Sequence, residues 1–335
     1  HSPVGRRRHL IDVTGIVSGG RLRMGWTYSE QIHQRATVAA LAEHFQVKLE
    51  ALIGQGTVAR CWSPLVPIRG GSVRRPLFCV HPAAGMDLCY SELAAELDMQ
   101  QPIYGLQPQG VTGGTLYTHN SIDEMANAYI LAAREVQAHG PYLLAGWSFG
   151  GMVAFEMAQQ LCDQGEEIAM LALLDSFAPS CTPHLTEQDL TTALIGFFGG
   201  NIDISSEELQ NLDPETRLMS VLRRASELNL IAAFGSAAPA ECFIEHRRRL
   251  HRAIANYCPR RYDAPMHLFR CRDENNPVLL RVTDPYLGWG PICGGIKLHW
   301  LPGDHHRMVH KPYVKHLATV LRQCLSHAHL MFPWP

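Results

Sequence analysis

The pentapeptide GWSFG at residues 146–150 contains the side chain best suited to chemistry, that of Ser148. An apolar run at 142–145 precedes it, and an apolar helical pattern at 152–162 follows it. G-x-S-x-G between a strand and a helix indicates a nucleophile elbow, a tight turn that raises the serine hydroxyl above a sheet. Glycine suits both flanks because a side chain would block the turn. We therefore predict that Ser148 is a nucleophile.

A serine hydroxyl needs a base to accept its proton and an acid group to orient that base. The chain order Ser148, Asp175, His305 fits the order Ser, Asp, His of α/β-hydrolases. His305 lies in a loop after the last expected strand, where it can reach the serine, and His306 is the alternative base. Asp175 ends the strand after the elbow, whereas Asp273 ends the next strand. The long insertion between these two strands favours Asp175 as the acid.

Two backbone N–H groups are expected to bind the oxyanion of an acyl-transfer intermediate. One belongs to Phe149, directly after the serine, and the other to the loop at residues 82–85, where we choose Ala83. Small residues in this loop let the backbone approach the carbonyl oxygen. His81 is expected to shape the loop without accepting a proton, and His299, inside an expected strand, is interpreted as structural.

The segments that must position these residues alternate between strand and helix from Leu77 onward. Apolar strands at 77–80, 103–106 and 168–174, with helices between them, predict an α/β fold whose mostly parallel sheet is covered on both faces. Active groups of such sheets lie at the carboxyl ends of the strands. Ser148 and Asp175 are both expected there.

The alternation stops at residues 181–260, which have helical patterns only. A helical insertion between two strands of a sheet predicts a lid over the site. Phe197, Phe198 and Phe234 in this insertion would line an apolar acyl pocket, although they fit the core of the lid equally well.

The first 54 residues have a pattern of their own, a β-hairpin with a turn at 18–20 followed by a helix at about 36–52. This fragment is too short for an independent core. Its sequence from Asp12 to Ile53 resembles the last strands and last helix of a nonribosomal peptide synthetase epimerization domain. Condensation domains fit less well, and an unrelated hairpin and helix is the alternative. The catalytic histidine motif of that family is absent, so we expect no chemistry here. Residues 55–75, rich in proline and glycine, are interpreted as a linker.

Residues 77–326 resemble the type I thioesterase domain that ends nonribosomal peptide synthetases. The matching motifs are H-P-A-A-G, G-W-S-F-G-G, L-L-D-S and P-G-D-H-x-x-M. The resemblance implies an α/β-hydrolase domain at 76–327 with a lid and a tail at 328–335. It assigns Ser148, Asp175 and His305 as the triad, with Ala83 and Phe149 as oxyanion donors. The H-x-x-M motif also selects His305 over His306.

The activity implied by this resemblance is peptide release. The peptide passes from the phosphopantetheine thiol of a carrier domain to the serine, and then leaves as an acid, lactone or lactam. The expected partners are the carrier and epimerization domains of the same synthetase, and no bound cofactor is expected. Because an epimerization tail precedes the linker where a carrier is usual, we hypothesise selection of peptides that end in a D-residue. An editing thioesterase and a non-catalytic carrier-docking module are the alternatives.

Composition limits the other possibilities for this chain of 335 residues. A net charge of −2 gives no reason to expect a nucleic-acid or anionic-membrane partner. The sequence has no run of 18 apolar residues, so no transmembrane helix is expected. Its ten cysteines are scattered singly. This spacing predicts free thiols in a cytoplasmic protein and no metal site.

Overall fold

The structure is a computed structural model that divides into two compact units, His1–Trp62 and Ser63–Pro335. It describes residues 11–18, 21–29, 31–55, 63–71, 73–83, 87–108, 121–181, 191, 204, 209, 211–227, 249–271, 283–305 and 307–334. Among these residues, no helix has both the length and the apolar character needed to cross a membrane.

The first unit contains the predicted hairpin and helix. Strands β1 (Ile11–Ser18) and β2 (Arg21–Tyr28) pair antiparallel, and Ser18 lies opposite Arg21, which leaves two residues for the turn. Helix α1 spans Arg35–Gln55, slightly longer than predicted. The ring of Trp26 on β2 meets the ring of Phe45 on α1 edge to face, with 5.8 Å between centroids. An aromatic pair of this kind holds the helix against the hairpin.

The second unit is built on a seven-stranded sheet, with the strand order β3-β5-β4-β6-β7-β8-β9. The strands are β3 (Leu65–Arg69), β4 (Leu77–Val80), β5 (Ile103–Leu106), β6 (Tyr142–Trp147), β7 (Ile168–Leu174), β8 (Tyr262–Cys271) and β9 (Cys293–Leu301). Strands β4 to β9 pair in parallel, and β3 pairs antiparallel with β5 at the edge. The predicted α/β-hydrolase architecture with a mostly parallel sheet is confirmed.

Helices cover both faces of this sheet. They are α2 (Ser91–Glu96), α3 (Ile122–Arg134), α4 (Phe149–Asp163) and α6 (Val314–Met331). A further helix, α5 (Pro214–Glu227), lies within the predicted lid segment. Helix α3 begins where the Ser121 hydroxyl accepts the N–H of Glu124 at 3.2 Å, a serine N-cap.

Alternate residues of the central strands enter two separate cores. Phe78 and Val80 of β4 pack in the core beneath α3 and α4, whereas Leu77 and Cys79 pack in the core beneath α2 and α6. All four side chains are fully buried, as expected for a strand covered on both faces. The carboxyl ends of β4, β6 and β7 are therefore fixed from both sides.

The predicted linker at 55–75 is wrong in part. Leu65–Arg69 forms strand β3 of the sheet, and the boundary between the compact units falls after Trp62. Pro67 argued against a strand because proline lacks the N–H that a sheet ladder needs. An edge strand tolerates it, and β3 pairs with β5 alone, with an irregular register after Pro67.

The predicted tail at 328–335 is also wrong in part. Helix α6 continues through Ala328, which is buried, to Met331. Beyond the helix, the buried guanidinium of Arg75 donates to the carbonyl oxygen of Phe332 at 2.7 Å and lies over the ring of Trp334. These contacts clamp the start of β4 to the end of α6.

The predicted lid at 181–260 falls largely outside the described residues. Within it, the structure describes α5 and a helical segment at 249–256. Helix α5 packs through Leu218, Val221 and Leu222, all buried. The described part is helical as expected, and its role as a lid stays a prediction.

Candidate active site

Ser148 lies on a strained turn between β6 and α4. Its backbone has φ 56° and ψ −124°, a conformation that residues other than glycine rarely adopt. The turn is held by the N–H of Ser148, which donates to the carbonyl of Leu174 at 2.9 Å. A Cβ at Gly146 would collide with the carbonyl of Gly150, and a Cβ at Gly150 with that of Val80. The two glycines are thus required by the close backbone approach at this elbow.

The structure brings Ser148, Asp175 and His305 together at the carboxyl end of the sheet. The Nε2 atom of His305 lies 3.1 Å from the Ser148 hydroxyl oxygen, and its Nδ1 atom lies 2.8 Å from a carboxylate oxygen of Asp175. A proton on Nδ1, donated to the carboxylate, leaves the lone pair on Nε2 to accept the serine proton. This is the arrangement of a serine nucleophile, its base and the acid that orients the base.

Strand β8 fixes the carboxylate of Asp175. The N–H of Asp175 donates to the carbonyl of Phe269 at 2.7 Å, and its Oδ1 atom accepts the N–H of Cys271 at 3.2 Å. Its backbone φ of 46° turns the chain sharply at the end of β7. Both carboxylate oxygens therefore have defined partners, one on β8 and one on His305. Asp273, the alternative acid, lies outside the described residues.

Trp147, directly before Ser148, holds the loop that contains His305. Its indole N–H donates to the carbonyl oxygen of His305 at 3.1 Å, and the two rings lie 5.9 Å apart. The side chain is buried, so its N–H requires such a partner. Sequence reasoning missed this contact because the pattern G-x-S-x-G leaves the position open. A tryptophan there, with one polar atom, was the available signal.

Tyr90 ties together the two strand ends that flank the site. Its hydroxyl donates to the carbonyl of Val80 at 2.6 Å and accepts the N–H of Trp147 at 2.9 Å. Burial raises the pKa of Tyr90 well above its ordinary value, so the phenol keeps the proton that it donates. Sequence reasoning did not single out Tyr90. Its partners lie on two different strands, so the fold alone reveals them.

The two predicted oxyanion donors flank the contact between β4 and α4. Phe149 is the first residue of α4, and an N–H in the first turn of a helix has no acceptor within the helix. Ala83 lies in the loop after β4. The shape of that loop is set by the fully buried His81, whose Nε2 atom lies 2.8 Å from the hydroxyl of Tyr129 and whose Nδ1 atom lies 2.7 Å from the carbonyl of Pro82.

Comparison with known proteins identifies the family. A sequence profile described as the thioesterase domain matches residues 75–325. The chain belongs to the thioesterase domain family. The elbow, the Asp175–His305–Ser148 chain of hydrogen bonds and the buried Trp147 all lie within the matched residues.

Relatives of this thioesterase domain are large synthetases. Malpinin synthetase from Mortierella alpina is 39% identical over 202 residues, which are 58% of this chain and 2% of that protein. The dimodular nonribosomal peptide synthase of Bacillus subtilis (strain 168) is 38% identical over 194 residues, 58% of this chain and 8% of that protein. The chain therefore spans a small part of these curated relatives. The wild-type Vlm2 thioesterase domain shares the fold, at 27% identity and a TM-score of 0.53 over 77% of this chain and 96% of that one.

Five residues singled out from the sequence of the thioesterase domain lie outside the described residues. They are the alternative base and acid, together with the three lid phenylalanines: His306, Asp273, Phe197, Phe198 and Phe234. Their roles stay predictions.

Proposed function

We propose that this thioesterase domain releases a peptide from a nonribosomal peptide synthetase. Its substrate is a peptidyl thioester on the phosphopantetheine arm of a carrier domain. The observation that carries the proposal is the continuous hydrogen-bond chain from Asp175 through His305 to Ser148, placed on an elbow within a thioesterase-family fold.

Acylation begins when the Ser148 oxygen attacks the thioester carbonyl carbon. His305 takes the hydroxyl proton on Nε2, and Asp175 stabilises the imidazolium without becoming protonated. The N–H groups of Phe149 and Ala83 bind the oxyanion of the tetrahedral intermediate. The carbon–sulfur bond then breaks, His305 returns its proton to the leaving thiol, and the peptide remains as an ester on Ser148.

Release repeats these steps with a new nucleophile. Water, or a hydroxyl or amine of the peptide itself, gives its proton to His305 as it attacks the ester carbonyl. Collapse of the second intermediate returns the proton to Ser148 and frees an acid, a lactone or a lactam. Which product forms depends on whether the covered site excludes water and folds the chain back. The Phe197, Phe198 and Phe234 side chains of the lid are our candidates for that cover.

The first unit supports a finer proposal on the substrate. Its hairpin and helix match the elements expected for the tail of an epimerization domain. With that domain upstream, the incoming peptide has been epimerised at its last residue, so the thioesterase domain acts faster on a D-residue there. Matched synthetic thioesters that differ only in this stereocentre test the proposal, and equal rates contradict it.

The central experiment is turnover of a synthetic peptidyl thioester by the 335-residue chain, with the products identified by mass spectrometry. We expect wild type to release peptide and Ser148→Ala to release none. Ser326→Ala, an exposed serine on α6, is the matched control. A fluorophosphonate should label Ser148 in wild type and in the control. No labelling of wild type would favour the carrier-docking module, and preference for short acyl groups over peptides would favour an editing thioesterase.

A further inference from the structure

Two histidines and a cysteine converge on the face of the sheet beneath α6. His267 lies on β8, His299 on β9 and Cys324 on α6. The Nδ1 atom of His267 lies 3.0 Å from Nε2 of His299 and 3.3 Å from the Cys324 sulfur, and that sulfur lies 3.9 Å from Nε2 of His299. Three potential metal-ligand atoms thus form one small triangle.

The dimensions of this triangle suit a single ion. Zinc binds histidine nitrogen at about 2.0–2.1 Å and cysteine sulfur at about 2.3 Å. Tetrahedral angles then place two nitrogens about 3.3 Å apart, and a nitrogen and the sulfur about 3.6 Å apart. The observed distances of 3.0, 3.3 and 3.9 Å lie on either side of these values. A shift of a few tenths of an ångström brings all three atoms to bonding distance.

Hydrogen bonding alone accounts poorly for the cluster. The Nδ1 atom of His267 is within reach of both His299 and Cys324. A ring nitrogen has either one proton or one lone pair, so it serves one of these partners well. A cation satisfies all three atoms at once.

The surroundings hold the ligand side chains in place. The ring of Phe269 stacks on His299 at 4.7 Å and fixes its plane. Cys324 is buried, where a thiol is otherwise inert.

We propose that His267, His299 and Cys324 bind a zinc ion that joins β8, β9 and α6. Two imidazoles and a thiolate form a donor set that suits zinc better than magnesium or calcium. The fourth position is filled by water.

The proposed ion is structural rather than catalytic. His267 precedes Cys271, which contacts the triad acid, by four residues of strand, or about 13 Å. The ion therefore lies away from Ser148. Its ligands come from distant points of the chain, so it links the last two strands of the sheet to the last helix.

The first test is metal binding by the 335-residue chain, with cobalt(II) as an optical substitute for zinc. We expect one ion per chain, the visible bands of tetrahedral cobalt and a thiolate-to-cobalt charge-transfer band. Cys324→Ser should abolish the charge-transfer band, whereas the matched control Cys258→Ser, an exposed cysteine, should retain it. His267→Gln and His299→Gln should each weaken binding at least tenfold. His327→Ala, at an exposed histidine one turn along α6 from Cys324, should leave binding unchanged.

A second experiment uses the wild-type chain and needs no substitution of a buried residue. Zinc at a hundredfold excess over its Kd should raise the Tm of wild type by about 5 °C. It should also protect Cys324, but not Cys258, from alkylation under partly denaturing conditions. Failure of wild type to bind an ion at millimolar zinc or cobalt, or an unchanged cobalt spectrum in Cys324→Ser, overturns the proposal.

Discussion

Two histidines of this domain, His305 and His267, each lie between two other reactive side chains, but the partners differ. One ring nitrogen of His305 faces a carboxylate and the other faces a hydroxyl. A single ring nitrogen of His267 faces both an imidazole and a thiol. The carboxylate stabilises a protonated ring, whereas a second imidazole and burial oppose one. The comparison teaches that the partners of an imidazole decide whether it transfers a proton or donates a lone pair to an ion.

The two sites also differ in how they are positioned. His305 lies in a loop beyond β9 and is held by contacts to the ends of β6 and β7. His267 and His299 lie within paired strands, with their rings stacked at an angle of 9° between planes. A loop lets the histidine adjust as the reaction proceeds, whereas a strand holds a fixed geometry. The predictions that follow test this division between a reactive and a structural site.

Ser148→Ala should cause the largest loss. With no nucleophile, thioester turnover should fall by roughly 10⁴–10⁶-fold, while the Tm should stay within a few degrees of wild type. Steady-state release of the thiol, followed with a thiol reagent, measures the first quantity. Cys324→Ser should show the reverse, with turnover retained and stability changed. If Cys324→Ser also abolishes turnover while remaining folded, the two sites are not separate.

Asp175→Asn should lower kcat by about 10⁴-fold, because an amide favours the wrong tautomer of His305. The change keeps the size of the side chain and its acceptor for the N–H of Cys271. Asp273→Asn is the matched control and should leave kcat near the wild-type value. A larger loss of kcat in Asp273→Asn than in Asp175→Asn would show that Asp273 is the acid instead.

Trp147→Phe should lower kcat by about fivefold, since it removes one hydrogen bond, worth about 1 kcal/mol, to the carbonyl of His305. The variant keeps an aromatic ring against the histidine. Trp300→Phe, at an exposed tryptophan on β9, is the control. The rate of fluorophosphonate labelling at unchanged Tm measures the effect on positioning, and an unchanged rate would show that the loop does not need this contact.

The acid dependence of stability should come in part from His267. Its pKa falls from 6.5 to about 4 on folding, because of burial and of His299, Lys297 and His327, which face it from β9 and α6. As pH falls below 6.5, His267 becomes protonated in the unfolded chain, whereas in the folded chain it stays neutral until about pH 4. Stability should therefore decrease across this window.

His267→Gln should flatten this decrease by removing one of the titrating groups. Urea unfolding at several pH values, with a chelator present to exclude metal ions, measures the effect. His139→Gln is the control, because the His139 side chain is exposed. A pH dependence in His267→Gln as steep as that of wild type would contradict this account.

Much of the fold could be predicted from local sequence patterns. The central strands are continuous apolar runs, and β4, β5 and β7 begin and end at the residues expected from the pattern. The elbow was predictable because its glycines are required by backbone contacts that every such turn shares. Ser148, Asp175 and His305 each follow a strand, and this placement is itself a local property.

The remaining features depend on contacts between distant parts of the chain. Strand β3 contains a proline, which is tolerated there because β3 is an edge strand that pairs with β5 alone. Helix α6 extends beyond its apolar pattern. Its end is stabilised by the burial of Ala328 and by the hydrogen bond from Arg75 to Phe332. The partners of His267 lie 32 and 57 residues away. Metal sites are recognised in sequence by close spacing, so the scattered cysteines predicted none.

The Arg75 clamp has a consequence for where this domain can be cut and joined. The start of β4 and the residues after α6 lie at one spot, where Arg75 meets Phe332 and Trp334. The compact unit itself begins earlier, at Ser63, before the edge strand β3. A recombination junction at Ser326 would remove the carbonyl partner of a buried guanidinium, whereas one beyond Trp334 carries the clamp along. A transplanted domain should therefore run from Ser63 through Trp334.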